Sequence, residues 1–293
     1  VKVVHTAQDL AAWPRKGRRV VVMTMGALHD GHLALVRQAR ELGDQVVVTV
    51  FVNPLQFNES TDYERYPRDL EADVARLKGS GVDVVFAPAD DTMYPDGVPA
   101  ASVSAGEMGR VLEGAARPGH FDGVLTVVAK LLHLTQPDIA VFGAKDAQQV
   151  IAVRALVRDL NFPVEIATAP TVRDADGLAQ SSRNVFLSAS EREQALVLSR
   201  ALNVADEQAR NGVQVQNVLT QGRAMLESAP EVRVDYFTVM NPANAQPIDS
   251  DYRGEAVIAV AAHVGDTRLI DNVTTRIGPR DADPQGDAAW PAK

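Results

Sequence analysis

Cysteine is absent from the 293 residues. That removes disulfides, thiolate metal ligands and a cysteine nucleophile, and suits a reducing compartment, with the cytoplasm as the expected location. Aromatic residues are sparse at 5%, so Val, Ala and Leu are expected to fill the core. No apolar run approaches the roughly 20 residues of a membrane-spanning helix. Val1 to Trp13 carries Lys2, His5 and Asp9 where a secretory leader needs an apolar centre. Neither secretion nor a membrane partner is expected. Positive charge is also in deficit: a formal charge of −9 argues against a nucleic-acid partner, while leaving room for a local basic pocket that takes phosphates. What is present is ordinary for a globular enzyme. The chain is 46% apolar and 23% charged, and long enough for one large domain or two of usual size.

The first half alternates short β-branched runs with amphipathic stretches. Strands are predicted at Arg19 to Thr24, Gln45 to Val52, Val82 to Ala87, Asp138 to Gly143 and Val164 to Thr168. Helical spacing of apolar residues falls between them, at His32 to Leu42, Leu70 to Lys78, Val124 to Leu134 and Val150 to Leu160. Near-continuous apolar strands imply burial on both faces, so the expected fold is α/β, a Rossmann-like doubly wound parallel sheet over residues 1–171. Ligands of such sheets bind at the carboxyl ends of the strands. After about residue 172 come two helical stretches, Ser190 to Arg210 and Val215 to Ser228. Strands are predicted near Val232 to Val239, Ala256 to Val264 and Arg268 to Asn272. A smaller C-terminal α+β domain over 172–278 is expected, followed by a disordered tail over 279–293, which is rich in Pro, Gly and Asp with little periodicity.

The segment TMGALHDGHLALV joins the first predicted strand through a Gly-containing turn to a helix, with His29 and His32 at its entrance. A helix N-terminus presents unpaired amides and the positive end of the macrodipole to an anion, and Gly26 and Gly31 permit close backbone approach. With a triphosphate bound, either imidazole can donate hydrogen bonds to developing negative charge. The same pair also reads as two surface histidines capping a helix, or as metal ligands. Beyond the second strand, FVNPLQF offers Asn53 and Gln56, neutral amides suited to a hydroxyl-bearing acid, or simply a Pro-containing turn. Beyond the fourth, GAKDAQQ places Lys145 where a flexible ammonium reaches phosphate oxygens, or is merely solvated, and Asp146 where it can accept from a ribose. Beyond the fifth, SSRN presents Ser181, Ser182 and Arg183, which could close over phosphates or form an N-cap and turn. RPGHFDGV adds Arg117 and His120 as weaker candidates.

TMGALHDGH closely resembles the HxGH signature of the nucleotidyltransferase superfamily, which includes the class I aminoacyl-tRNA synthetases. In its full form it resembles the pantothenate synthetase family. FVNPLQF, RPGHFDGV, GAKDAQQ and SSRN follow in the family's order and extend the likeness over nearly the whole chain except the tail. The resemblance implies an ATP-dependent ligase with Mg2+ as cofactor, pantoate and β-alanine as the other substrates, and a homodimeric state. It implies His32, His29, Lys145 and Arg183 as catalytic groups. It assigns ATP to Met25, Gly26, Ala27, Leu28, His29, Asp30, Gly31 and His32, to Gly143, Ala144, Lys145 and Asp146, to Val172 through its backbone near adenine, and to Gln180, Ser181, Ser182 and Arg183. Pantoate falls to Gln56 and Gln149, with Gln56 also near the incoming β-alanine. The chain departs from the family at Met23, usually Pro, at Ala144 and Ala147, usually Glu and Tyr, and at Gln180, usually Met. Acidic residues that assist Mg2+ in some relatives align near Glu71 and Asp73, where Ala72 and Arg76 break the pattern, so the metal's protein ligands are left unassigned and ATP phosphates and water could hold it. Two other readings share parts of this pattern: a transferase that joins a nucleotide to a phosphorylated acceptor, and a nucleotide-binding protein without catalysis.

Overall fold

The computed structural model describes residues 1–58 and 60–278, with the side chains of 60–62 outside that description, as are the tail predicted over 279–293 and its disorder. Nine strands appear among the described residues. Six form one sheet: β1 (Lys2–Val4), β2 (Arg19–Thr24), β3 (Gln45–Val50), β4 (Val84–Phe86), β5 (Ile139–Gly143) and β6 (Glu165–Ala169), in the order β1-β4-β3-β2-β5-β6. Every pairing in it is parallel. The helices of this half are α1 (Ala7–Ala12), α2 (Asp30–Leu42), α3 (Ser60–Arg65), α4 (Leu70–Leu77), α5 (Asp90–Met93), α6 (Glu113–Ala116), α7 (His120–Thr135) and α8 (Ala147–Asp159). Val20, Val21 and Val22 of β2 are all fully buried, as are Val46, Val47 and Val48 of β3. Consecutive burial of this kind requires both faces of the sheet to be covered, the property inferred from the unbroken valine runs.

The second half contains α9 (Ala189–Arg210) and α10 (Val215–Glu227). Three antiparallel strands follow: β7 (Val232–Met240), β8 (Gly254–Val264) and β9 (Thr267–Ile277). Ser188 caps α9 in a reciprocal pair with Glu191, which places the start of the helix. Apolar residues of α9, α10 and the three strands share one core, among them Leu198, Leu202, Leu226, Phe237 and Ile258.

Two compact units result. One comprises Val1–Gly143 with Gln148–Ala169, and the other Ala144–Ala147 with the chain from Pro170 onward. The four residues Ala144–Ala147 thus belong with the later part of the chain, although they directly follow β5 in sequence.

Several elements differ from the sequence reading: the short helices α1, α3, α5 and α6 are unpredicted, β4 is shorter than the stretch predicted for it, and two strands differ for reasons their pairing shows. β1 is unpredicted, since its three residues are too few to show a period, and it is a strand because β4 supplies its partner. β9 is far longer than the five residues predicted, because β8 pairs with it along its whole length, from Gly254 opposite Ile277 to Val264 opposite Thr267.

Candidate active site

In the first unit β2 lies between β3 and β5, and the direction of winding reverses there. β2 and β3 are parallel neighbours, so the loops that leave their carboxyl ends emerge side by side, at the end of the sheet where open parallel sheets bind ligands. The loop after β2 turns through Gly26 at φ 83° and Ala27 at φ 50°. A left-handed alanine is uncommon and needs outside support. Asp73 from α4 supplies it. This carboxylate is 4% exposed and accepts from the Ala27 amide at 3.1 Å and the Leu28 amide at 2.8 Å. A Cβ on Gly26 would stand 2.8 Å from the Asp73 Oδ2, so glycine is demanded there by a carboxylate as well as by backbone conformation.

At the entrance of α2, His29 is the N-cap. Its Nδ1 accepts from the Gly31 amide at 3.1 Å, while the His32 Nδ1 accepts from the His29 amide at 3.2 Å. The two rings are tilted at 51° with centroids 4.1 Å apart. With both Nδ1 atoms accepting, the proton of each neutral ring sits on Nε2, which makes Nε2 the donor. The two sequence readings of this pair, helix cap and anion contact, are therefore compatible: one nitrogen caps and the other is a donor.

Most of the expected row of unpaired amides is already engaged. The Gly26 amide donates to Thr24 Oγ1, those of Ala27 and Leu28 to Asp73, that of His29 to His32 and that of Gly31 to His29. The amides of His32 and Leu33 both donate to the His29 carbonyl. A tight turn running straight into a capped helix consumes its own donors. For an anion, this entrance offers imidazole N–H groups and the helix dipole more than a cradle of backbone amides.

The loop after β3 is built around Asn53, which is 1% exposed. Its Nδ2 donates to Gln56 Oε1 at 3.0 Å and to the Gly123 carbonyl at 3.1 Å, while its Oδ1 accepts from the Leu55 amide and the Tyr94 hydroxyl. That is the full capacity of a carboxamide. Gln56, 9% exposed, donates through Nε2 to Met25 Sδ at 3.1 Å, which joins the FVNPLQF loop to the His-bearing turn. Its backbone carbonyl accepts from Arg117 at 3.1 Å and lies 2.9 Å from the His120 Nδ1. RPGHFDGV thus holds Gln56 from behind. A Cβ on Gly123 would stand 2.2 Å from the Leu55 carbonyl oxygen. Tyr94 carried no recognisable signal in the sequence, and Gly123 was marked only as one residue of RPGHFDGV; the contacts across 41 and 70 residues reveal their roles. Gln149, half-buried on α8, also belongs to the first unit, whereas its neighbour Gln148 is spent on structure, bonding the Glu113 amide and the Met108 and Val111 carbonyls.

In the second unit Ala144–Asp146 forms a short 3-10 turn that carries half-buried Lys145 and exposed Asp146. Asn272 of β9 donates to the Ala144 carbonyl at 3.0 Å and the Lys145 carbonyl at 2.7 Å. Elsewhere in this unit the Gln180 amide donates to the Val172 carbonyl, and the Gln180 side chain to Asp174. Ser181 caps the 3-10 turn Ser182–Phe186 by accepting from the Arg183 amide, and Arg183 is exposed. The N-cap reading of SSRN is therefore met by Ser181, while the guanidinium two residues later points its charge to the surface.

Among the described residues there is no group of three or more His, Asp or Glu side chains placed to hold a metal, and both oxygens of Asp73 are occupied by the turn. No helix among them is long and apolar enough to cross a membrane.

Comparison with known proteins agrees with this geometry. The chain is 54% identical over 281 residues to the pantothenate synthetase of Thermobifida fusca (strain YX), an alignment covering 92% of this chain and 94% of that one. The crystal structure of pantothenate synthetase from Thermus thermophilus superposes with a TM-score of 0.87 at 50% identity, covering 93% of this chain and 99% of the other. That of the pantoate-beta-alanine ligase from Francisella tularensis, complexed with beta-gamma ATP and beta-alanine, superposes with a TM-score of 0.75 at 32% identity, covering 93% and 97%. Residues 2–274 match the family model described as pantoate-beta-alanine ligase, and the chain belongs to that family of ligases.

Proposed function

We propose that this protein condenses pantoate with β-alanine at the expense of ATP, through an enzyme-bound pantoyl adenylate. A pantoate carboxylate oxygen attacks the α-phosphorus, the bond to the bridging oxygen of the β-phosphate breaks, and pyrophosphate leaves with that electron pair. The β-alanine nitrogen then attacks the acyl carbonyl. An amide bond forms, AMP departs with the acyl–oxygen electrons, and the amine's proton passes to solvent. No covalent bond to the protein is needed, so its work is positioning and charge stabilisation.

The observation that carries this reading is the pairing of the two loops in the first unit. The His29 and His32 donors at the start of α2 share a turn with Met25, and Met25 is hydrogen-bonded to Gln56. A charge-stabilising pair suited to phosphate thereby adjoins a neutral amide suited to a hydroxy acid. His29, His32, Lys145 and Arg183 are assigned to the triphosphate. Gln56 and Gln149 are assigned to pantoate, with Asn53 holding Gln56 in place. Val172, Gln180, Ser181, Ser182, Gly143, Ala144 and Asp146 are assigned to the rest of the nucleotide. Mg2+ enters as the MgATP complex, bound by phosphate oxygens and water, with Asp73 reserved for the turn. A cytoplasmic homodimer is the expected working form; the cysteine-free composition suits the compartment and the family resemblance supports the dimer.

The test is exchange of labelled pyrophosphate into ATP with pantoate present and β-alanine absent. Exchange that requires pantoate, with pantothenate and AMP appearing once β-alanine is added, is the expected result. A transferase with a different acceptor would not respond to pantoate, and a binder without catalysis would show no exchange with any acid.

A further inference from the structure

We infer that Asn272 is a positioning residue for Lys145, acting through two consecutive backbone carbonyls, with Asp271 and Arg173 behind it. The inference rests on the reading that Lys145 meets the triphosphate. Asp271 and Asn272 are adjacent on β9, facing Val260 and Ala259 of β8 respectively, and are only 4% and 6% exposed. Successive strand residues point to opposite faces, so this strand carries two buried polar side chains where apolar ones would build a sheet without desolvating polar groups. Each is engaged on its own side. Asp271 takes a two-point grip from Arg173, at 2.6 Å and 3.0 Å, and also accepts from the Asn272 amide at 2.8 Å. β9 is the edge of its sheet, and Asp271 thereby supplies a partner to a backbone amide on that strand. Asn272 spends both amide hydrogens on the carbonyls of Ala144 and Lys145.

Two consecutive carbonyls pinned by one carboxamide fix the orientation of the peptide planes flanking Lys145, and with them the direction in which its side chain leaves the backbone. Lysine has a long stem with several rotatable bonds and lacks the rigid fork of arginine. Charge stabilisation of a transition state depends on where that stem starts, and small displacements of such a group cost rate more than binding. The same contacts explain why Ala144–Ala147 belongs with the later part of the chain.

The experiment is a double-mutant cycle on the full-length protein, reading pantoate-dependent pyrophosphate exchange beside the melting temperature. Lys145→Ala tests the underlying role; if it exchanges normally, that role fails, whatever Asn272 does. With Lys145→Ala defective, Asn272→Ala is expected to lower kcat by about tenfold or more, with the KM for pantoate changed by less than about twofold. The double variant is expected to be no worse than Lys145→Ala alone, since Asn272 acts only through the lysine. A folded Asn272→Ala variant with normal kcat, or losses that multiply in the double variant, would overturn the inference. If Asn272→Ala melts below the assay temperature, Arg173→Lys takes its place in the cycle. It keeps the charge but loses the two-point grip on Asp271, and it must show a smaller loss of kcat that again vanishes in the Lys145→Ala background.

Discussion

The two oxygens of Asp73 hold two amides of one turn, and that division of labour can be separated from metal binding. Asp73→Ala leaves the Ala27 and Leu28 amides without a buried partner and frees a left-handed alanine to relax, at a cost of about 2–4 kcal/mol. We expect a lower melting temperature and weaker ATP use that no excess of Mg2+ restores. Restoration by Mg2+ would instead make Asp73 a metal ligand. Gly123 offers a second test at the scale of one atom. Its added Cβ would collide with the Leu55 carbonyl, which belongs to backbone and cannot swing aside. Gly123→Ala should therefore displace the 3-10 turn Pro54–Gln56 that bears Gln56, cost about 1–3 kcal/mol, and raise the KM for pantoate more than that for ATP. Equal change in both KM values would show that Gln56 does not read the acid. Ala147 and Gln180, two of the departures that the sequence resemblance implies, have structural occupations here: Ala147 is 4% exposed and Gln180 is tied to Asp174.

Helix α2 is capped by the same pair of side chains that is proposed to meet the triphosphate, and the two tasks can be pulled apart. Asparagine is among the best N-caps, so His29→Asn preserves an acceptor for the first turn while removing the imidazole. The variant should keep its melting temperature, with stability changed by about 0.5 kcal/mol at most, and lose exchange activity by about 10²–10³. Loss of folding rather than activity would show that capping is the histidine's main work. Helix α7 has a similar double character. It opens at left-handed Gly119, and its first turn supplies His120 to the Gln56 carbonyl and Asp122 to the Ala105 amide. The RPGHFDGV segment, in which His120 opens this helix, is thus the rear support of the Gln56 turn.

Across the molecule, carboxylates paired in the native state set the response to acid. In the second unit, Asp176 is held below the ordinary aspartate range, first by the Arg192 guanidinium and then by the Leu178 amide. In the first unit, burial pushes Asp138 up, but the Arg19 amide and the Arg15 guanidinium outweigh it and hold that carboxyl low as well. A carboxyl whose folded pKa is depressed adds stability above its unfolded value, near 3.9 for aspartate, and loses it as pH falls through the folded value. Melting temperature should therefore drop below about pH 4. The gap between the native protein and Arg192→Ala, measured from pH 7 downward, should narrow over the same range as Asp176 protonates. A gap that stays constant with pH would mean that Arg192 stabilises by packing alone. The sequence by itself determined the parallel sheet, because unbroken valine runs in β2 and β3 tolerate only two covered faces. It also determined the family, because TMGALHDGH, FVNPLQF, GAKDAQQ and SSRN keep their order. It determined the entrance of α2 almost to the residue, because strand, glycine and cap signals are local. Tertiary structure alone decided that Asp73 supports the turn through the Ala27 and Leu28 amides, that Asn53 is fully engaged, and that the Ala144 and Lys145 carbonyls are held by Asn272 of β9. Each of these depends on at least one hydrogen bond between residues tens to more than a hundred positions apart, and a hydrogen bond has direction and reach that periodicity along a chain does not encode.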